Sequence, residues 1–195
     1  MLFSDWNLVL NGEHIRITPI VMDDVENYTK LMLGTTEISG EPILLTNHVK
    51  SYVAGEADDE LHAIRLKDAQ EMIGWITMQH DPKGRPDIGI SLAKEYQNLG
   101  YGSEAFMLFC NRLHDDYGLT RIYIRIHDSN YQSLAASRKL GAVLDKSVPD
   151  EDLRKFFEEL YEKFYSDEPK EEYMKGKVPN ILYFHIDLPC KIQKR

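Results

Sequence analysis

The stretch Gln97–Ala105 places two glycines where a predicted strand passes into a predicted helix. Before it, Asp87–Leu92 alternates apolar residues with small or polar ones, and after it the apolar residues of Ala105–Leu113 recur at helical spacing. The first N–H groups of a helix have no intrahelical acceptor, and the aligned peptide dipoles at that end favour negative charge. The stretch therefore predicts an anion-binding turn. The alternative is an ordinary tight turn without a ligand.

The glycine motifs of nucleotide-binding proteins do not fit this turn. The chain has no G-x-x-x-x-G-K-[ST] loop, and the pair Gly100 and Gly102 lacks the third glycine of the dinucleotide fingerprint. The stretch instead resembles the Q/R-x-x-G-x-G/A signature of the GNAT superfamily of N-acetyltransferases, with Gln97, Gly100 and Gly102 at the matching positions. In that family the loop amides hold the pyrophosphate of acetyl-CoA, so the resemblance implies acetyl-CoA as co-substrate.

A second stretch, Asn130–Ala142, resembles the N-x-x-S and K-L-G-F pieces of the ribosomal-protein-acetylating, RimJ/RimL-like branch of that superfamily. Asn130, Ser133 and Lys139–Gly141 match these pieces, and Ala142 stands where Phe is usual. Two such pieces in the right order, with a predicted strand between them, are much harder to obtain by chance than either one alone.

The resemblance implies a cofactor site built from two strand residues, the glycine loop and the start of the second helix. If the strands on either side of the intervening helix lie parallel and splay, their unpaired backbone groups can bind the amide-bearing pantetheine arm. A plain N-cap is the alternative for Asn130, and a first-turn polar residue is the alternative for Ser133. The implied cofactor-binding residues are Ile90, Leu92, Gln97, Asn98, Leu99, Gly100, Tyr101, Gly102, Ser103, Asn130 and Ser133.

Acetyl transfer to an amine requires that the amine be neutral when it attacks. An α-amine has a pKa of about 8, whereas a lysine-like amine with a pKa of about 10.4 is neutral only about one part in a thousand at physiological pH. A base therefore matters more for the second kind. Asp87 stands where many family members carry a carboxylate that orders a water or takes the proton. The alternative is a solvated residue at a strand end.

The departing thiolate needs a proton. GNAT enzymes commonly supply it from a Tyr four residues before the glycine of the last motif, and Ser137 occupies that position here. A Ser hydroxyl can relay a proton or hydrogen-bond the sulfur, although it is a poorer acid than a phenol. Ser137 as a small residue on a packed helix face is the alternative, and Tyr131 is a second donor. No Cys–His pair is evident, so we expect direct attack in a ternary complex.

Composition limits the class of protein. A chain of 195 residues, 43% hydrophobic and 28% charged, fits one large domain over 1–195. A net charge of −9 argues against nucleic acid as a partner and tilts the substrate toward cations. No signal peptide or membrane-spanning segment is evident, so we expect a cytoplasmic protein. Cys110 and Cys190 have no C-x-x-C partner, so neither a metal site nor a disulfide framework is predicted.

An insertion of about residues 149–178 separates the last two predicted strands, where the family pattern has a short connection. Pro149 suits the first position of a helix, and apolar residues then recur at helical spacing from Leu153 to Phe164. The segment Asp150–Lys177 carries ten acidic and six basic residues, a net charge of −4. We expect an acidic wall that selects a cationic acceptor. The alternatives are a helix packed on the domain with a solvated outer face, and a homodimer contact.

The sequence thus predicts an α/β protein of GNAT type, with a mixed, splayed sheet flanked by helices. The predicted activity is acetyl transfer from acetyl-CoA to a primary amine, either a protein N-terminus or a small cationic amine. The alternative is a non-catalytic acyl-CoA-binding sensor or interaction module on the same fold. Either Asp23 or Asp24 is predicted to cap the first helix.

Overall fold

A computed structural model describes residues 8–35, 42–54, 56–57, 59–69, 71–81, 83–165 and 169–191. Its strands are β1 (Leu10–Asn11), β2 (Ile15–Pro19), β3 (Glu60–Leu66), β4 (Met72–His80), β5 (Pro86–Leu92), β6 (Arg121–His127), β7 (Val143–Pro149) and β8 (Asn180–Asp187). Its α-helices are α1 (Val25–Thr35), α2 (Pro42–Val53), α3 (Tyr101–Tyr117), α4 (Tyr131–Lys139), α5 (Glu151–Phe164) and α6 (Lys170–Met174).

The strands form one eight-stranded sheet in the order β1-β2-β3-β4-β5-β6-β8-β7. This architecture confirms the predicted fold class, a mixed sheet with flanking helices, while the predicted splay stays a prediction. The chain divides into two compact units, residues 1–122 with 187–191 and residues 123–186 with 192–195. The expectation of a single domain over 1–195 also stays a prediction.

In the first unit, β1 to β5 form an antiparallel meander with helices on both faces. Leu61 and Ala63 of β3 belong to a buried cluster with Tyr28 of α1, whereas the intervening His62 faces Phe109 of α3, with ring centroids 5.4 Å apart. Successive strand residues point to opposite faces, so α1 covers one face and α3 the other. The buried residues of the α1 and α2 side are Ile20, Tyr28, Val49, Tyr52, Leu61, Ala63, Met72 and Trp75.

The entry into α1 differs from the prediction. A 3-10 turn over Met22–Asp24 precedes the helix, and Val21 is the N-cap of that turn. Asp24 is not the cap: its Oδ2 accepts a hydrogen bond from the backbone N–H of Val21 at 2.9 Å and lies 2.6 Å from Nη2 of Arg65 on β3. Asp24 is 4% exposed, so pairing with a guanidinium is what makes a charge at this position tolerable.

The two cysteines meet inside the first unit. Cys110 lies on the buried side of α3, and its thiol hydrogen-bonds that of Cys190 in the segment after β8. Both residues are free thiols in this structure. The neighbouring Asn111 fastens the same segment, because its Nδ2 donates to Cys190 O at 3.2 Å and its Oδ1 accepts from Cys190 N at 2.8 Å. Sequence separation concealed this proximity.

In the second unit, α5 and α6 occupy the insertion between the antiparallel strands β7 and β8. The prediction that Pro149 begins the helix is wrong: Pro149 ends β7, and Asp150 caps α5 by accepting the Leu153 N–H at 3.0 Å. A short carboxylate satisfies an orphan N–H at that position, which Pro cannot do. Asp150 also pairs with His127 Nε2 at 3.1 Å.

Candidate active site

The glycine loop is held to β5 by its first residue. Gln97 follows a 3-10 turn over Lys94–Tyr96, and its Nε2 donates to the carbonyl of Leu92 at 2.9 Å. Asn98 then takes a left-handed conformation with φ 62°, and Gly100 another with φ 92°. These two left-handed residues let the chain leave the strand and enter α3 within a few residues, and a Gly tolerates the second one without strain.

The loop ends as the N-terminus of α3. The bond from Glu104 N–H to Gly100 O, 3.0 Å, opens the helix, so the N–H groups of Tyr101, Gly102 and Ser103 precede the ladder and have no acceptor within it. A Cβ built on Gly100 would meet nothing within 4 Å, so the space in front of the loop is open. Leu99 is 60% exposed at the tip. The arrangement suits an anion.

Glu104 fixes this end of α3 and was not singled out from the sequence. Its Oε1 accepts the backbone N–H of His14 at 2.9 Å and that of Ile15 at 3.3 Å, and its Oε2 lies 3.0 Å from His14 Nδ1. Burial alone would raise the pKa of this carboxyl, but the hydrogen bonds from His14 and Ile15 outweigh it, and the net direction is down. A carboxylate in the first turn also favours the helix dipole.

The contact between Glu104 and the turn from β1 to β2 depends on the close approach of Glu104 to Gly12. A Cβ on Gly12 would lie 2.2 Å from Glu104 Oε1, so only the absence of a side chain lets the carboxylate reach the turn between β1 and β2. The strand residues before the loop differ in exposure: Leu92 is 8% exposed and Ile90 37%.

Asp87 lies buried on β5 with 7% of its surface exposed, so the alternative of a solvated strand-end residue is wrong. It is paired in register with Gln79 of β4. Trp75, on the same side of β4 as Gln79, packs edge-on against Tyr28 of α1 with centroids 5.2 Å apart. Paired residues share a face, so Asp87 belongs to the α1 and α2 side of the sheet.

A second carboxylate, that of Asp59, lies next to Gln79 on the same side of the sheet as Asp87. Asp59, just before β3, accepts a hydrogen bond from Gln79 Nε2 at 3.0 Å and also hydrogen-bonds the hydroxyl of Tyr52 on α2. Burial and the Asp59 contact raise the pKa of Tyr52, and burial with the Asp59 charge raises that of Tyr28 to about 12. Both phenols therefore stay neutral donors beside a carboxylate.

The neighbours of Asp87 on this side of the sheet, Asp59 and Gln79, were not singled out from the sequence. The signal for them lies in the hairpin register: once Glu60 pairs with Met78, Asp59 stands opposite Gln79, which itself stands opposite Asp87. Two separate register assignments are needed, and alternation alone fixes neither.

In the second unit, Asn130 is the N-cap of α4. Its Oδ1 accepts the Ser133 N–H at 3.1 Å, so the N-cap alternative holds for this oxygen. Asn130 is exposed and Ser133 half-buried in the first turn.

Ser137 lies one turn further along α4 and is 4% exposed. Its Oγ donates to the carbonyl of Leu134 at 3.0 Å, within its own helix. This bond occupies the only proton of the hydroxyl. Tyr131, the second predicted donor, is 78% exposed.

Neither a metal site nor a membrane-spanning helix is found in the described ranges. Among these residues, no three His, Cys, Asp or Glu side chains are grouped so as to hold a metal ion. In the same part of the chain, no helix has the length and apolar character needed to cross a membrane.

Several solved acetyltransferase structures have the same fold as this chain. The GNAT-family acetyltransferase from Bacillus anthracis is 17% identical and covers 92% of this chain and 98% of its own, with a TM-score of 0.67. RimL, described as a ribosomal L7/L12 alpha-N-protein acetyltransferase, is 13% identical with coverage of 93% and 94% and a TM-score of 0.68. RimJ of Mycobacterium smegmatis, in complex with CoA-disulfide, is 13% identical with coverage of 94% and 88% and a TM-score of 0.65.

The family of this chain follows from the match of its sequence to a known domain. No curated protein matches the chain significantly. Residues 15–143 match the family described as acetyltransferase (GNAT) domain, a span that contains Asp87, the glycine loop and α4 and ends where the insertion has not yet begun. The predicted family is thereby confirmed, and with it acetyl transfer from an acyl-CoA donor. This protein belongs to the GNAT family of acetyltransferases.

Proposed function

We propose that this enzyme transfers the acetyl group of acetyl-CoA to a primary amine by direct attack within a ternary complex. The observation that carries the proposal is the loop Gln97–Ser103, whose N–H groups precede the ladder of α3 beside open space. An anion at this position is favoured both by the unpaired donors and by the helix dipole. The pyrophosphate of the cofactor fits that chemistry, with Ile90 and Leu92 offering backbone groups to the pantetheine arm.

We assign Asp87 as the group that takes or relays the proton of the acceptor amine. It is buried, it belongs to the family-matched span, and Gln79 links it in register to Asp59. Asp87 is buried and Asp59 half-buried, and two carboxylates on one side of the sheet attract a cationic amine. This supports an amine acceptor that arrives protonated. Both a protein N-terminus, the acceptor in the description of RimL, and a small polyamine meet that condition.

Ser137 receives a lesser role in this proposal. Because its proton is engaged with Leu134, its hydroxyl offers only lone pairs, so it can accept a hydrogen bond but not readily protonate the thiolate. We expect Ser137→Ala to change kcat less than about tenfold, against about 10²-fold or more for Asp87→Asn. The comparison of the two pH–rate profiles checks the assignment, since only the loss of the base removes the acidic limb.

Calorimetric titration with acetyl-CoA tests the cofactor site, with desulfo-CoA and ATP as controls. Gly100→Glu should abolish binding, because it adds a negative side chain at the mouth of the loop. Gly118→Glu is the matched variant: Gly118 ends the same helix, is also left-handed with φ 67° and also faces open space. It carries a comparable backbone strain and should leave affinity intact. Equal loss in both variants would refute the loop as the binding site.

Turnover separates the enzyme from the sensor alternative. Thiol release should be followed with acetyl-CoA and two acceptor classes, a short peptide with a free N-terminus and a linear polyamine. Tight cofactor binding without release for either class would favour the non-catalytic alternative. Release with one class only identifies the acceptor.

A further inference from the structure

The insertion helix α5 has an apolar face that the described residues cover only in part. Its stripe runs from Leu153 through Phe157 and Leu160 to Phe164, with Phe156 beside it. None of the helix residues is buried, and Phe156 and Phe164 are 52% and 63% exposed. A helix of this length is marginal in water unless its apolar face is packed. The exposed part of the stripe is therefore a surface that needs a partner.

The other helix of the insertion covers a different row. Tyr173 of α6 is 7% exposed, and its ring centroid lies 5.3 Å from that of Tyr161 and 4.9 Å from that of Tyr165. Lys170 of α6 lies 3.7 Å from both Glu158 and Glu162. These contacts use one flank of α5. Phe156 lies on another side of α5 and takes part in none of these contacts.

Acidic side chains border the exposed stripe. Asp152 and Glu159 are the neighbours of Phe156 at i−4 and i+3 on the helix surface, and both are exposed. Lys163 is a basic neighbour of Phe164, and its Nζ lies 5.2 Å from the ring centroid of Phe164. Over the whole segment Asp150–Lys177 acidic residues exceed basic ones by four. The complement of such a surface is apolar at its centre and basic at its rim.

We propose that the surface formed by Phe156, Phe164, Asp152 and Glu159 docks a basic segment of a partner polypeptide that also carries apolar side chains. Charge selects this occupant. A second copy of the chain would bring an equally acidic rim against this one, and an anionic bilayer would repel it. A basic amphipathic segment meets both the apolar and the charged parts.

Fluorescence anisotropy on the full chain tests the docking surface. The probe is a labelled, short amphipathic peptide of Lys and Leu, and the comparison probes replace Lys by Glu or Leu by Ser. We expect only the Lys/Leu peptide to bind, and its affinity should fall as the salt concentration rises. Replacing both aromatic residues, Phe156→Ser with Phe164→Ser, should reduce affinity about tenfold or more. Val9→Ser, at a 48% exposed position of the first unit, should not.

A charge-reversed variant keeps the test decisive if the Ser variant folds poorly. Asp152→Lys with Glu159→Lys retains the apolar stripe, and it should also lose about tenfold in affinity. Equal binding of the Lys and Glu peptides, or unchanged affinity in both variants, would overturn the proposal.

Two other outcomes would reassign the surface. A dimer in sedimentation velocity that Phe156→Ser with Phe164→Ser dissociates would identify a second copy as the occupant. Cosedimentation with phosphatidylserine vesicles that the same variant abolishes would identify lipid. Acetyl-CoA affinity, measured alongside, should stay unchanged in every variant, so a failure of docking is distinct from a failure of the cofactor site.

Discussion

Helices α3 and α5 are both amphipathic in sequence, yet they are used in opposite ways. The α3 helix buries five residues, among them Phe109 at 0% exposure, and Glu104 fastens its N-terminus to the turn between β1 and β2. The α5 helix buries none. One helix holds the glycine loop in place, and the other exposes part of its apolar face. Amphipathic pattern alone does not tell an anchoring helix from a presenting one.

Truncating one Phe in each helix tests this difference most directly. Phe109→Ala should lower the free energy of unfolding by about 3–5 kcal/mol, because it removes a fully buried ring and leaves a cavity. Phe156→Ala should change it by about 0.5 kcal/mol, as expected at a surface position. Denaturant titration of both variants measures the difference. Equal losses would mean that α5 is anchored as firmly as α3.

The anchor at the start of α3 should be pH-dependent. Glu104→Gln should cost about 1–2 kcal/mol at neutral pH, since it weakens hydrogen bonds to a charged acceptor. The folded-state pKa of Glu104 lies below its usual value of 4.5, so its contribution is full above that value and is lost as pH falls through the folded-state pKa. Melts of wild type and variant should converge once the pH has fallen below the folded-state pKa of Glu104. A gap that persists there would show that shape, not charge, matters.

The start of α5 should depend on its cap. Asp150→Ala removes the acceptor of the Leu153 N–H and should cost about 1 kcal/mol, whereas Asp150→Asn keeps an acceptor and should cost less. Urea titrations of the pair separate the cap from the ion pair with His127. If both variants lose the same amount, the charge interaction dominates.

The smallest effect is expected where α6 joins α5. Lys170→Met removes contacts to Glu158 and Glu162, all three at least 41% exposed, and should change stability by about 0.5 kcal/mol or less. Thermal melts at low and high salt check this value. A loss above about 1 kcal/mol would indicate that the insertion is held by its ion pairs.

Local pattern was sufficient for much of the fold. The alternation in Asp87–Leu92 and the helical spacing after it place β5, the loop and α3, and the family match confirms the identity inferred from Gln97, Gly100 and Gly102. These features are encoded by neighbours in sequence, so a short window contains the whole signal.

Other features depend on distant partners. The row that joins Asp59 to Asp87 needs two strand registers, the Glu104 anchor needs a glycine about ninety residues away, and the choice between Pro149 and Asp150 as helix start needs the end of β7. How much of the α5 stripe is covered is a tertiary fact that no periodicity contains.

The two hydrogen-bonded thiols of the first unit allow a local opening of the structure to be measured through the reactivity of native cysteines. Both residues are buried, so neither sulfur meets a reagent freely while the Cys190 segment packs against α3, and burial also raises the pKa of Cys110, which disfavours its reactive thiolate. We expect an alkylating agent to label Cys110 only when that segment lifts from α3. The alkylation rate therefore reads the frequency of that opening directly, without any engineered label.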